Sequence, residues 1–229
     1  MKLAEVFHSI QGEGKLAGVP SVFVRASGCN LRCTWCDTPY ASWNPEGDDV
    51  PVDELVGRVL AYGCRHVVFT GGEPVIHPEA EALCEALKNR DCHITLETAA
   101  TRFKPLQIDL ASLSPKLANS TPWEREGGRF AQTHDAQRLR PEVIQRFIDT
   151  SPAFQLKFVV ADATDLPEIE LLLAQLTGWT PADVLLMPEG IDEPTLRERT
   201  AWLAELCKQT GYRLCPRLHV SLYGNTRGT

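Results

Sequence analysis

The chain has 229 residues, 43% of them hydrophobic and 23% charged, and a net charge of −7. That length and balance predict one ordinary globular domain with a sizeable core, which excludes a disordered chain. The negative charge, the absence of any apolar run near bilayer length and the polar start with Glu5 argue against a nucleic-acid partner, a membrane span and a secretory signal; they predict a cytoplasmic protein with a small-molecule substrate, its eight cysteines reduced.

SVFVRAS (21–27) reads as a β-branched strand and leads directly into GCNLRCTWCDTPYASW, so Cys29, Cys33 and Cys36 fall on a loop after a strand. From Pro51 to Ala61, early acidic residues followed by Leu55, Val59 and Leu60 predict an amphipathic helix, closed by Gly63. HVVFT (66–70) is a buried strand that runs into TGGEP, and Ala80, Leu83, Cys84 and Leu87 recur at helical spacing after it. HITLET (93–98) and QIDLAS (107–112) are the next strands. Residues 115–141, rich in Gly, Pro and Asn, predict a long mobile loop outside the core, of the kind that covers sites, with a helix after it. FQLKFVVA (154–161) is a strand, Ile169, Leu172, Leu173 and Leu176 mark a helix, DVLLMPEG (183–190) is a strand, and Leu196, Leu203, Leu206 and Cys207 mark the last helix. Strand and helix alternating throughout predict an α/β fold with a mostly parallel sheet, open or curled into part of a barrel, with function at the carboxyl edge of the strands. No repeat or linker divides the chain, so residues 1–229 are expected to form a single domain.

Three thiolates within eight residues are soft metal ligands. A structural zinc site closes with four protein ligands, and Cys33 and Cys36 have no second CxxC or HxxxH partner; a redox CxxC pair leaves Cys29 unexplained. A four-iron cluster on three cysteines keeps one iron open for a substrate or cofactor. In TGGEP the paired glycines allow close backbone approach and Glu73 puts a carboxylate at the strand end, although such a turn into a helix is common by itself. Lys157 in an apolar strand, and Arg25 among Val22, Val24 and Ala26, each need an anion or solvent to offset desolvation; Glu97 and Thr98 are polar groups suited to an edge or a barrel interior. Cys64, Cys84, Cys92, Cys207 and Cys215 are scattered and read as buried structural thiols.

Cys-x3-Cys-x2-Cys after the first strand of an α/β domain resembles the signature of radical S-adenosylmethionine (SAM) enzymes. EVFHSIQGEGKLAGVPSVFVRASGCNLRCTWCDTPYASW, TGGEP, SPKLANSTP and RLHVSLYGNTRGT together resemble the 7-carboxy-7-deazaguanine synthase family over nearly the whole chain. The resemblance implies a partial (β/α) barrel of the radical SAM type. It implies a [4Fe-4S] cluster on Cys29, Cys33 and Cys36, whose open iron chelates SAM and whose electron cleaves it to a 5'-deoxyadenosyl radical. Mg2+ is implied at Thr38, a hard oxygen donor. The implied reaction is ring contraction of 6-carboxy-5,6,7,8-tetrahydropterin: a hydrogen atom leaves C6, the pterin rearranges, ammonia is lost and SAM is regenerated.

Carried over by position, the resemblance assigns SAM to Trp35, Cys36, Asp37, Gly72, Glu73, Ser114, Pro115 and Lys116. It assigns the pterin to Ile10, Gln11, Gly12, Glu13, Arg25 and Thr70, with Arg25 on the substrate carboxylate. His219, otherwise an ordinary sheet histidine, and Thr229 are further expected substrate contacts. A homodimer, a reducing partner such as flavodoxin or ferredoxin, and a place in queuosine or 7-deazapurine biosynthesis are implied as well. Two readings compete. An activase that installs a glycyl radical in a partner protein shares the cysteine spacing, and a non-catalytic iron-sulfur or zinc protein would share the thiols. QGEG and Arg25 favour a small carboxylated substrate.

Overall fold

The computed structural model describes residues 1–229. In chain order its elements are β1 (Lys2–Ile10), β2 (Pro20–Ala26), β3 (Asp48–Asp49), α1 (Val52–Leu60), β4 (His66–Gly71), α2 (Ala80–Lys88), β5 (His93–Thr98), β6 (Leu110–Leu113), α3 (Ala131–Gln137), α4 (Pro141–Thr150), β7 (Phe154–Val160), α5 (Leu166–Leu173), β8 (Val184–Pro188), α6 (Glu193–Thr210), β9 (Arg213–Leu214) and α7 (Leu218–Tyr223). All nine strands form one sheet in the order β3-β1-β2-β4-β5-β6-β7-β8-β9. From β2 to β9 every pairing is parallel. The sheet does not close on itself, as expected for a partial barrel. No helix is long and apolar enough to cross a membrane.

Local chemistry accounts for the helix ends. α1 carries Asp53 and Glu54 in its first turn and Arg58 in its last, each complementing the helix dipole. α6 starts where the Asp192 side chain accepts from Thr195 N–H and stops at Gly211, whose φ of 75° is left-handed. Along the strands, alternate side chains divide between two environments. Val22, Val24, Phe69, Leu96, Phe158 and Val160 join the main apolar core with the helices. Their neighbours Phe23, Arg25, Thr70, Glu97, Lys157 and Val159 face a central cavity instead.

Four expectations are corrected. The first strand of the chain is β1, which pairs antiparallel with β2 and is shifted in register between Leu3 and Glu5; its mixed polar sequence hid it. No helix joins β5 to β6, so alternation fails there, and β6 begins three residues later than the sequence pattern suggests. Residues 115–141 are built rather than loose: they include α3 and bury Leu117, Ser120, Thr121, Ala131 and His134. His219 lies on α7, not in the sheet.

Candidate active site

The cavity has a volume of about 470 Å³ and opens where the parallel strands end. The turn after β1 supplies Ile10, Gln11, Gly12 and Glu13 to its wall, and the cysteine loop supplies Cys29, Cys33, Trp35, Cys36, Asp37 and Thr38. Arg25, Thr70, Gly72, Ser114, Lys116, His219 and Thr229 also line it. Of the residues singled out from the sequence, Glu73 and Pro115 do not reach the wall. Glu73 is fully buried; its carboxylate accepts from Thr98 Oγ1 at 2.6 Å and Ala99 N–H at 2.9 Å. Burial raises its pKa above the ordinary carboxyl value, only partly offset by these donors. What the GGEP turn gives the wall is backbone: a Cβ on Gly72 would lie 2.2 Å from Gly28 O and 2.3 Å from Ala41 O, so only glycine lets this turn lie flat on the base of the cysteine loop.

The three cysteines carry no disulfide. Leu31 N–H donates to Cys29 Sγ at 3.3 Å, and Cys36 Sγ lies 3.1 Å from Ser42 Oγ. Burial pushes the Cys33 thiol up to about 12 and raises Cys29 as well, so both are protonated at neutral pH unless a metal cation stabilises the thiolate. Three thiols from one short loop on one cavity wall, with a backbone donor on sulfur, are a donor set that fits an iron-sulfur cluster. Beside them Lys116 Nζ donates to Ser114 Oγ at 2.7 Å and lies 5.8 Å from the centre of the Trp35 ring.

Another part of the cavity wall is charged. Burial by itself would raise the Glu13 carboxyl, but Lys157 and Arg217, with His219 behind them, hold it well below the usual carboxylate range. Lys157 Nζ bonds one carboxylate oxygen, and Arg217 Nε donates to the other at 3.1 Å. Arg217 also binds the Asp37 carboxylate and Gly190 O. Gln11 is fixed at both ends of its amide: Nε2 donates to Glu97 at 3.1 Å, and Oε1 accepts from Glu13 N–H at 3.1 Å. Thr70 Oγ1 donates to the other Glu97 oxygen at 2.9 Å. Gly12 admits α7: a Cβ there would sit 2.0 Å from His219 Nδ1.

Arg25 finds its anionic partner inside the chain. Its Nε donates to Glu5 at 2.7 Å across the β1–β2 pair, and Tyr40 Oη–H donates to the same carboxylate at 2.7 Å. The two terminal guanidinium nitrogens make no hydrogen bond within the chain, and Arg25 lines the cavity. Sequence reasoning missed Glu5, Tyr40 and Arg217. Glu5 was hidden with β1, since its register opposite Arg25 is the signal; Arg217 has no local signature and is identified only by its position in space.

Residues 23–119 match the family model described as the radical SAM superfamily. The 7-carboxy-7-deazaguanine synthase of Halobacterium salinarum is 45% identical, covering 100% of this chain and 93% of that one. The enzyme of the same name from Rhodopirellula baltica is 44% identical over 99% of this chain and 88% of its own. Among solved structures, that of QueE from Escherichia coli superposes with a TM-score of 0.68 at 26% identity, covering 95% and 94% of the two chains. Identity at this level, sustained from end to end, reflects common descent rather than a shared scaffold. The chain belongs to the 7-carboxy-7-deazaguanine synthase family of radical SAM enzymes, which work with a [4Fe-4S] cluster and SAM.

Proposed function

We propose that this chain, acting as a single domain, binds 6-carboxy-5,6,7,8-tetrahydropterin at the charged end of the cavity and contracts it to 7-carboxy-7-deazaguanine with loss of ammonia. The observation that carries the reading is that one cavity is bordered both by the three cysteines and by a guanidinium with unengaged donors. Cys29, Cys33 and Cys36 hold the cluster. Gly72, Ser114, Lys116, Trp35 and the backbone around Asp37 border the SAM pocket, and Glu73, with Pro115, supports that pocket from behind. When bound, cluster and SAM supply the one-electron chemistry that removes a hydrogen atom from the substrate.

The chain's own residues orient the pterin. Arg25 offers its terminal nitrogens to the substrate carboxylate while Glu5 fixes its Nε. Glu13, kept ionised, accepts N–H donors of the heterocycle, and Gln11, Thr70 and Glu97 form a connected polar wall beside it. Gly12 and His219 close that side, and Thr229 borders it from the tail. Magnesium belongs at Thr38: the hydroxyl is a hard donor, and with Asp37 tied to Arg217 the ion would take its balancing charge from the substrate carboxylate.

A one-electron donor of the flavodoxin or ferredoxin type, a homodimeric assembly and a cytoplasmic location complete the proposal. The test is anaerobic incubation of reconstituted, reduced protein with SAM, magnesium and the carboxypterin, followed by mass spectrometry. The deazaguanine acid is the expected product. Protein that carries about four irons per chain and forms none of it overturns the reading, and a single bound zinc would favour the non-catalytic alternative.

A further inference from the structure

The segment 115–141 is stitched to the cysteine loop at almost every polar group around Cys33. Arg32 N–H donates to His134 Nδ1 at 3.0 Å, and Thr34 N–H donates to Ser120 O at 2.8 Å, so the two amides flanking Cys33 both end on this segment. Arg125 Nη1 donates to Thr34 O at 2.9 Å, and Trp35 Nε1 donates to Asn119 O at 3.1 Å. The remaining carbonyl, Cys33 O, accepts from Trp43 Nε1 at 2.9 Å, and Trp43 packs edge-on against Phe130.

His134 is the centre of this arrangement. It is 2% exposed and uses both ring nitrogens. Because Arg32 N–H is a donor, Nδ1 carries the lone pair and Nε2–H donates to Ser120 Oγ at 2.9 Å, whose own hydrogen goes to Leu117 O at 2.6 Å. The imidazole is thus a neutral rivet from the backbone of one loop to the backbone of the other. Neutral amides at 32 and 34 have no helix or strand partner to use instead, so without the segment they turn to water and the sulfurs lose their common orientation.

We propose that residues 117–137 are the template that presents Cys29, Cys33 and Cys36 to the cluster, with His134 as the positioning residue that fixes the backbone between the first two cysteines. This rests on the assignment of the cluster to those cysteines. The test uses reconstituted full-length holoprotein, comparing the wild type with His134→Ala, His134→Asn and Ser120→Ala. The rate of iron release to a chelator is followed well below the melting temperature, together with the change that SAM induces in the electron paramagnetic resonance signal of the reduced cluster. His134→Ala is expected to release iron about tenfold faster, as loss of an outer partner does at metal sites, and to broaden the SAM-induced signal. His134→Asn, which restores an acceptor for Arg32 N–H, is expected to recover most of both. If the alanine variant does not fold, Ser120→Ala removes the acceptor of Nε2–H together with the hydroxyl's own bond to Leu117 O, leaves Arg32 N–H paired with Nδ1, and should still accelerate release. Release rates and spectra equal to the wild type in the folded variants overturn the role of His134, whereas wild-type protein that takes up no iron overturns the cluster assignment instead.

Discussion

Glu13 and Glu73 are both carboxyl groups withdrawn from water around the same cavity, and their surroundings shift their proton affinity in opposite directions. At the end proposed for the pterin, Lys157 and Arg217 face Glu13 and keep it ionised against the cost of burial. At the end proposed for the cluster, Glu73 meets a hydroxyl and backbone amides, and burial raises it; Cys29 and Cys33 are raised, and His134 is kept neutral. Neutral donors are too weak to cancel desolvation fully, while full opposite charges at contact distance do cancel it. Around Glu13, fixed charges of both signs offset one another; around Cys29, Cys33 and Glu73, burial dominates and favours the protonated forms.

The sharpest way to break this contrast is to remove a cluster thiol. Cys33→Ala should abolish product formation while leaving the polar end able to bind pterin, measured by equilibrium dialysis. At the polar end, Arg25→Ala should weaken pterin binding roughly a hundredfold, the value of a charge-assisted hydrogen-bond pair, with a smaller effect on kcat; unchanged affinity would remove Arg25 from the site. Lys157→Met should raise KM about tenfold, since Glu13 keeps Arg217 as its only close cation. In the wild type the Glu13 contribution persists from neutral pH to below the ordinary carboxylate range; in the methionine variant its acid limb should move up, which a pH profile of kcat/KM reads directly.

His134 sharpens the contrast from the neutral side. Burial, with Arg138 and Lys116 nearby, lowers it from its ordinary 6.5 to about 4. The unfolded chain therefore takes up a proton before the folded one does, and stability falls as pH drops from 6.5 toward 4, with nothing lost above that window. Urea midpoints of the metal-free protein should show this fall and His134→Asn should flatten it. The smallest effect belongs to Arg227, which pairs with Glu46 at 2.9 Å on the surface and lies 4.1 Å from the Tyr40 ring. Arg227→Ala should change stability by no more than about 1 kcal/mol, checked by thermal melting.

Much of this was legible in the sequence where a pattern repeats locally. The β-branched strands, the helical apolar spacing around Leu83 and Leu172, and the cysteine spacing depend on neighbours a few residues apart, and the structure has them within a few residues of the expected positions. What stayed hidden depends on distant partners. β1 is a strand because β2 lies beside it, not because KLAEVFHSI is strongly β-forming. The segment 115–141 is polar because its polar groups bond to another loop, a use of polarity that composition cannot distinguish from solvation. Arg217 reads as a surface residue until Glu13, Asp37 and Gly190 are seen around it.

The sheet stays open along one side. β9 never pairs with β1; apart from the Leu218 N–H bond to Gly12 O, the two ends of the sheet are joined by side chains, with Arg217 gripping Glu13 and Asp37 and Lys15 reaching Asp183 at 2.6 Å. A seam of this kind behaves like a drawstring of ions instead of a weld of backbone amides. Because Arg217 and Glu13 lie out of water, salt screens their pairing little, and the seam rests on a few discrete side chains where a fully closed barrel would rest on a ladder of backbone bonds.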